Sequence, residues 1–365
     1  MAAILDFSRF NFSAEQIRAV NELIFDDVLV SPELQQLCTV YPGIVYDKEI
    51  GFIGEGGLLG VASQGCNPTP QNWQIATRKI VWEPKAWEIL LEQCYNDLES
   101  TAAVYSLRTG VDIADFTDTD YMRIIFEVLT RSIKEFIIRL AWFNDIDSEN
   151  FIPADGTDPS GGGNITPGVD VSFFNILDGF WKQIALQVIE NPEQLVTITE
   201  NSGATLALQT LSPVNIQSYL QKLVYGANIL LRDKAGTVIP CTQSFYDAYE
   251  KSLAGINLET MYSNLVNGQK TLTFNGIPLI RMPFWDKIIR AYYKLGAVND
   301  KTAPLYKPHR AIFMHKDYFA FGVDGSDSFD KVETWYNRDK RVVKIEAMGK
   351  ADAKLINPLI FNVAM

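Results

Sequence analysis

The chain is poor in the residues that carry most enzymatic chemistry, with two histidines and four cysteines among 365 residues. Cys38, Cys66, Cys94 and Cys241 are well separated and form no C-x-x-C pair, so neither a zinc knuckle nor a dithiol redox centre is encoded and free thiols are expected. The histidines, His309 and His315, flank one predicted strand. Such a strand spans about 20 Å, so the rings are not expected to share a metal across it. Neither lies near a Gly-rich turn carrying a nucleophile, and ordinary strand-end histidines are the reading. Long uncharged apolar runs are missing too. The stretch from Ile124 to Phe143 is interrupted by Glu127, Arg131, Lys134, Glu135 and Arg139, and no segment offers the ~20 apolar residues of a membrane span. Asp6 and Arg9 stand where a secretory apolar region would run, so the chain is expected to stay in the cytoplasm where it is made. There is no basic excess. The net charge is −12 and the pI about 4.8, which argues against a dedicated nucleic-acid binder.

The chain is long enough for two or three structural units around a sizeable core. Its charge is uneven. Residues 1–150 hold 11 basic and 23 acidic side chains, whereas residues 151–365 hold 21 of each; from Arg281 to Lys354 the count is 15 basic to 10 acidic. An acidic front and a basic tail would attract across a boundary between copies, although exposed pairs contribute only ~0.2–1 kcal/mol each.

Along the chain, residues 13–29 open on Ser13 and place Ile17, Val20, Ile24 and Val28 on one helix face. From Tyr41 to Asn72 the density of glycine allows only strand or extended loop, and this stretch reads as a long hairpin-like excursion returning through WQIATRKIVWEP. Helical spacing is read over 86–107. The strongest signal is a helix over 119–143, with Tyr121, Ile124, Val128, Ile133, Phe136, Ile137 and Leu140 along one broad face. A Gly-rich break follows. Helices are then expected at 174–190, 212–227 and 243–255, and strands at 194–199 and 237–241, which makes the class α+β or α/β. Asn275-Gly276 between two apolar runs is a strong hairpin signal. RAIFMH, KVETWY, RVVKIEAM and PLIFNVAM complete a strand-rich ending.

Motifs that would assign an activity fail on spacing. Beginning at Gly54 and Gly56, a dinucleotide fingerprint requires glycine where Leu59 stands, and no helix follows to hold a pyrophosphate. There is no phosphate-binding G-x-x-x-x-G-K-[ST], and Ser63 lies three residues after Gly60, the wrong distance for a nucleophile elbow. The pairs Asp118 with Asp120, Asp145 with Asp147 and Asp324 with Asp327 lack calcium-loop spacing and read as solvated loops. Trp82, Trp87, Phe284 and Trp285 read as core or subunit contacts. No catalytic, cofactor-binding or metal residue is assigned, and no cofactor is expected.

An arm, a Gly-rich excursion, a long helix and a mixed unit ending in paired strands resemble, in that order, the major capsid proteins of tailed bacteriophages of the Hong Kong 97 type. TLTFNGIPLIRMP resembles that family's strand, Gly, Ile/Val-Pro signature, and HRAIFMHKDYFAFGVDG the strand after it. RVVKIEAMGKADAKLINPLIFNVAM resembles its ending, a long strand, a turn at Pro358 and a last apolar strand. The resemblance implies an α+β fold with an N-arm (1–40), an extended β-hairpin loop (41–82), a peripheral domain with a long spine helix (83–164 and 321–355) and an axial domain (165–320 and 356–365). It implies a non-enzymatic structural protein that self-assembles as pentamers and hexamers into an icosahedral shell around double-stranded DNA. That DNA is enclosed without sequence-specific binding and without a membrane. A portal protein and either a separate scaffolding protein or none are implied as partners, with the subunit in the virion and, during assembly, in the host cytoplasm. Two alternatives stay open: a bacterial cargo-enclosing shell protein of the same fold, and a motif-poor α+β hydrolase or transferase using carboxylates and tyrosine.

Overall fold

The computed structural model describes residues 34, 36–53, 77–94, 118–153, 162–253, 262–264, 270–297, 299–324, 333–337 and 342–365. The helix expected at 13–29, the glycines Gly54 and Gly56, Ser63, Cys66 and Asp327 lie outside them. The secondary structure is mixed α+β, with one five-stranded, one seven-stranded and one two-stranded sheet.

The five-stranded sheet is organised by its longest strand, β13 (Val342–Leu355), which at 14 residues extends about 46 Å. Along one edge it pairs with β4 (Lys85–Cys94), from Val342 opposite Cys94 to Ala351 opposite Lys85. Val342–Glu346 and Ala351 have second partners, β12 (Glu333–Asn337) and β11 (Phe319–Val323), which therefore lie end to end along the other edge. β1 (Thr39–Pro42) adds a parallel strand outside β11. The core-facing positions of β13 are small: Ala347, Gly349, Ala351 and Ala353. That choice has a reason at Gly349, where a Cβ would meet the Trp87 ring at 2.5 Å. The bare backbone lets the indole lie down and reach Phe136, with ring centroids 5.2 Å apart.

Phe136 belongs to α1 (Asp118–Phe143), the helix expected from the sequence, about 39 Å long. Its C-terminal half is buried at Ile133, Phe136, Ile137, Leu140, Ala141, Trp142 and Phe143. The helix α2 (Phe180–Glu190) packs beside it, starting later than the expected residue 174. Gly179 explains the delay, because it passes against the backbone of Ala141 and Asn144, where a Cβ would lie 3.0 Å from each carbonyl oxygen.

The seven-stranded sheet has the order β5 (Leu195–Val196), β14 (Asn362–Ala364), β10 (Ala311–Phe313), β6 (Ile239–Cys241), β9 (Ile277–Arg281), β8 (Lys270–Phe274), β7 (Tyr262–Asn264). The amphipathic helices α3 (Pro213–Tyr225) and α5 (Gln243–Ser252) close a core with it through Ile216, Leu220, Leu223, Phe245 and Tyr249; α4 (Ile229–Arg232) is a single turn between them. The β8–β9 hairpin turns at Asn275 (φ 51°) and Gly276 (φ 79°), the paired left-handed conformation for which Asn-Gly is suited.

The stretch 309–325 is not one strand. β10 lies in the seven-stranded sheet, a single 3-10 turn at Lys316–Tyr318 intervenes, and β11 enters the five-stranded sheet. The ending crosses in the same way, from β13 through Asn357 and Pro358 to β14. Two short chain crossings therefore join the sheets, and an aromatic cluster fills the junction. Trp142 lies 4.7 Å from Trp285 and 4.9 Å from Phe180 by ring centroid, and Trp285 lies 5.0 Å from Trp181.

Two expectations need correction. Residues 85–94 of the segment read as helix over 86–107 form β4; the rest of it lies outside the described residues. Trp87, Ile89 and Leu91 fit both a helical and an alternating pattern over so short a window, and the available edge of β13 decides between them. The helix α6 (Pro283–Tyr292) has no counterpart in the sequence reading, although Pro283 at its first turn and the spacing of Trp285, Ile288 and Ile289 encode it.

Candidate functional site

The structure brings one histidine to a nucleophile that sequence spacing missed. His309, buried just before β10, has Nδ1 2.7 Å from the Ser244 hydroxyl, 65 residues upstream in the first turn of α5. The Gln209 carbonyl contacts the other ring nitrogen. A carbonyl can only accept, so Nε2 carries the proton and Nδ1 accepts from Ser244. Burial lowers the His309 pKa and keeps this neutral tautomer. The pair faces a cavity of about 650 Å³ whose walls include Asp247, Lys251, Asp286 and Arg290.

A serine and a neutral histidine in a cavity raise the question of acyl transfer, and the surroundings answer it. Attack by Ser244 would need N–H donors for the developing oxyanion. The first-turn amides of α5 are taken: Gln243 N–H donates to Asp286 at 2.6 Å, and the Ser244 amide bonds the same carboxylate. An oxyanion there would face Asp286. Desolvation raises that carboxyl's pKa, with the Gln243 amide opposing the shift. His309 is oriented by a neutral carbonyl, so no carboxylate hydrogen-bonds its ring, and Glu200 acts on it only as a nearby charge. The arrangement locks α5 to the start of β10, and Asn201 extends the lock by donating to the His309 carbonyl at 2.8 Å and accepting its amide at 2.9 Å. The surface-exposed serine signal is absent from the sequence because the helix cap here is Thr242-Gln243-Ser244, without glycine.

His315 is likewise structural. Its Nδ1 accepts the Asp317 amide at 3.3 Å, capping the crossing turn, and burial followed by the nearby Lys234 charge lowers its pKa. Among the described residues no group of three His, Cys, Asp or Glu is placed to hold a metal. Cys38 and Cys241 are buried thiols. Desolvation pushes Cys38 up to about 12 and Cys241 upward as well. Asp145 and Asp147 converge on the Lys182 ammonium, each at 2.8 Å; burial opposes the lysine's charge, but these bonds outweigh it and raise its pKa. Trp82, Trp87 and Trp285 are buried core residues and Phe284 packs against that core.

The surfaces left over are those of the hairpin and the ribbon. β2 (Glu49–Ile53) and β3 (Thr77–Val81) pair with each other, Glu49 opposite Val81, and with no other described strand. Among the described residues the base of this hairpin is anchored, with Ile50 and Ile80 packed against it. Trp82 and Ile44 pack on Ala320 and Ile356, and both approach Gly322, where a Cβ would meet Ile44 at 2.7 Å and Trp82 at 2.8 Å. The Glu83 amide adds a 2.8 Å bond to the buried Asp352 carboxylate. On the β4–β13 ribbon, Leu90, Leu91 and Met348 are 57%, 43% and 41% exposed. Lys344 on that ribbon pairs with Glu92 of β4 at 2.6 Å, so this part of the basic tail is used inside the subunit and is not spare charge for a neighbour.

No protein-family model matches the chain, and no curated protein is similar to it in sequence. Among solved structures, it is similar to a chain of the satellite phage P4 procapsid that includes the size determination protein, at 10% identity, TM-score 0.48, covering 96% of this chain and 98% of that one. It is also similar to a chain of the Cyanophage P-SCSP1u capsid, at 10% identity and TM-score 0.44, covering 90% and 85%. A third likeness is to the SrpI encapsulin complex of Synechococcus elongatus, at 11% identity and TM-score 0.43, covering 92% and 87%.

Proposed function

We propose that the chain is a structural, non-enzymatic subunit that self-assembles into a closed shell, a major capsid protein of the Hong Kong 97 type. The observation that carries this reading is the β2–β3 hairpin. A two-stranded ribbon is marginal in water by itself and needs a third strand or a packed face. Here the ribbon pairs with no other described strand and its base packs on Ala320 and Ile356; in this reading a second copy supplies the surface that covers it. The sequence resemblance points the same way, since it assigns 41–82 to a loop that overlaps neighbours. In this reading α1 and the five-stranded sheet form the peripheral domain, and the seven-stranded sheet with α3 and α5 forms the axial domain. The crossing turn Lys316–Tyr318 is the boundary between them. Pentamers and hexamers of the chain, enclosure of double-stranded DNA, a portal and a scaffolding protein, and location in the virion belong to the same proposal.

The rival enzyme reading loses its best candidate with the capped Ser244–His309 pair. A cargo-enclosing shell of the same fold remains the second reading, supported by the same hairpin argument. The purified chain imaged by negative stain tests both against a monomeric protein. Closed shells, rings or tubes are expected from the full chain, and removal of residues 54–76 with a short Gly-Ser bridge should leave folded subunits that no longer assemble. A compact monomer of the full chain at all concentrations and salt conditions would overturn the proposal. Nucleic acid recovered from shells purified from the producing cells separates the two shell readings.

A further inference from the structure

A buried arginine and a half-buried lysine lie side by side, and among the described residues neither forms an ion pair with a carboxylate. Arg310, 4% exposed, is placed by the start of β10 among aromatic faces, 4.8 Å from the Trp181 ring and 5.5 Å from that of Phe143. Its Nε donates to the Lys307 carbonyl at 2.8 Å and a terminal nitrogen to the Tyr306 carbonyl at 3.2 Å. A guanidinium has five N–H donors, so these bonds leave donors over. Lys307 is held in a left-handed backbone conformation (φ 46°) that directs it back beside Arg310, and its ammonium has the Met365 sulfur at 3.8 Å for company. Burial and then Arg310 lower the Lys307 pKa. Among the described residues no carboxylate forms an ion pair with either cation. Asp145, the acid in the same wall, is engaged at 2.8 Å by Lys182.

The two side chains line a cavity of about 60 Å³. Two further wall residues hold unsatisfied buried polar atoms, the Trp181 indole N–H and the Asn164 amide oxygen. Flipping that amide would place its nitrogen, a donor, where the Asn164 oxygen stands. Taking a charge out of water is costly unless it is paired, and an aromatic face returns only part of the loss. A wall with three cations against one carboxylate, and with the Trp181 N–H unpaired, asks for one ligand chemistry.

We propose that this cavity is an oxyanion site, sized for one phosphate ion or one carboxylate group, with Arg310 and Lys307 as its principal ligands. A planar guanidinium fork and an adjacent ammonium match two or three oxygens of either species. The anion has two sources: free inorganic phosphate, or an acidic side chain of a second copy. The site does not depend on which kind of shell the chain builds.

The test uses the full chain, with inorganic phosphate titrated against chloride at constant ionic strength and unfolding followed by heat. Ligand that binds only the folded state raises Tm in a saturable way. Wild type should show that rise, and Lys307→Gln should need at least about tenfold more phosphate for the same shift. Without phosphate the order should reverse, Lys307→Gln being as stable as wild type or more so, because it removes a repulsion. A lysine that merely packs would lower Tm in both buffers, and that result overturns the proposal. So does an equal response of wild type and variant to phosphate, sulfate and acetate. Arg310→Lys, which keeps charge and loses the fork, is the second variant and should weaken the response while circular dichroism stays native. The two sources separate on assembled material. If a neighbour's carboxylate fills the site, phosphate stabilises dissociated chains but not assembled ones; if free phosphate fills it, both respond.

Discussion

The two sheets differ in how completely each is finished inside one chain. In the seven-stranded sheet, β6, β10 and β14 are buried along their full lengths, and α3 and α5 cover it with an apolar stripe each. The five-stranded sheet is closed along β11, which is buried throughout, and open along its β4–β13 ribbon. Trp87 and the small residues of β13 meet α1, while Leu90 and Met348 stand exposed on the opposite face of that ribbon, and the β2–β3 hairpin pairs with no other described strand. The first region is a core closed in itself; the second folds but presents apolar surface on its β4–β13 ribbon. That asymmetry suits a subunit whose folding and whose association use different parts of the same chain.

The largest effect is expected where the regions join. Trp142→Ala removes the centre of the aromatic cluster between α1, α2, α6 and β11 and should cost ~3–5 kcal/mol, both sheets losing stability together in chemical denaturation. Separate transitions for the two sheets would break the claim that the cluster couples them. Next comes Gly322→Val, which forces side-chain atoms into Ile44 and Trp82 and should cost roughly 1–3 kcal/mol, with protection from hydrogen exchange falling at the hairpin base and not in the seven-stranded sheet.

The third prediction concerns pH. Asp352 is buried beside that base, and desolvation raises its pKa to about 6, with Lys354 and the Glu83 amide opposing the shift. The folded state therefore holds this proton more tightly than the unfolded chain. The resulting stability is full below the ordinary carboxyl value, is lost as pH rises through about 6, and amounts to roughly 2–3 kcal/mol. Asp352→Asn keeps an oxygen for the Glu83 amide and should flatten stability between about pH 4 and 6; unchanged pH dependence in urea melts would count against this role.

A smaller effect belongs to the Ser244–His309 lock. Ser244→Ala leaves the histidine's Nδ1 without a donor and should cost about 1–2 kcal/mol, with the hairpin and its association untouched. The smallest effect on folding, and the sharpest test of the contrast, is Leu90→Ser with Met348→Ser. Exposed positions of this kind change stability by about 0.5 kcal/mol or less. Sedimentation should nonetheless show a higher concentration threshold for association; an unchanged threshold would mean that the open face of the ribbon has no part in contacts between copies.

Much of the skeleton was legible in the residues. The helix ending at Phe143, the Asn275-Gly276 hairpin, the helices around α3 and α5 and the strand-rich ending all rest on local patterns, apolar spacing and turn residues, that act before any tertiary contact exists. β4 was misread because alternation over ten residues cannot be told from helical spacing until an edge is there to pair with. The Ser244–His309 pair was illegible for a different reason: its members are far apart in the chain, and each is unremarkable where it stands.

What the sequence determined by itself is therefore most of the elements outside β4 and α6, the scarcity of metal-binding and nucleophilic motifs, and the places where glycine and proline force a turn. What only the tertiary structure decided is the company each side chain keeps. It split residues 309–325 between two sheets, gave Lys344 an internal partner, capped α5 with Asp286, and set Arg310 beside Lys307. Local periodicity is a property of neighbours along the chain and is written in the sequence; burial, charge pairing and desolvation are properties of neighbours in space, and they come into being when the sheets close on the aromatic junction.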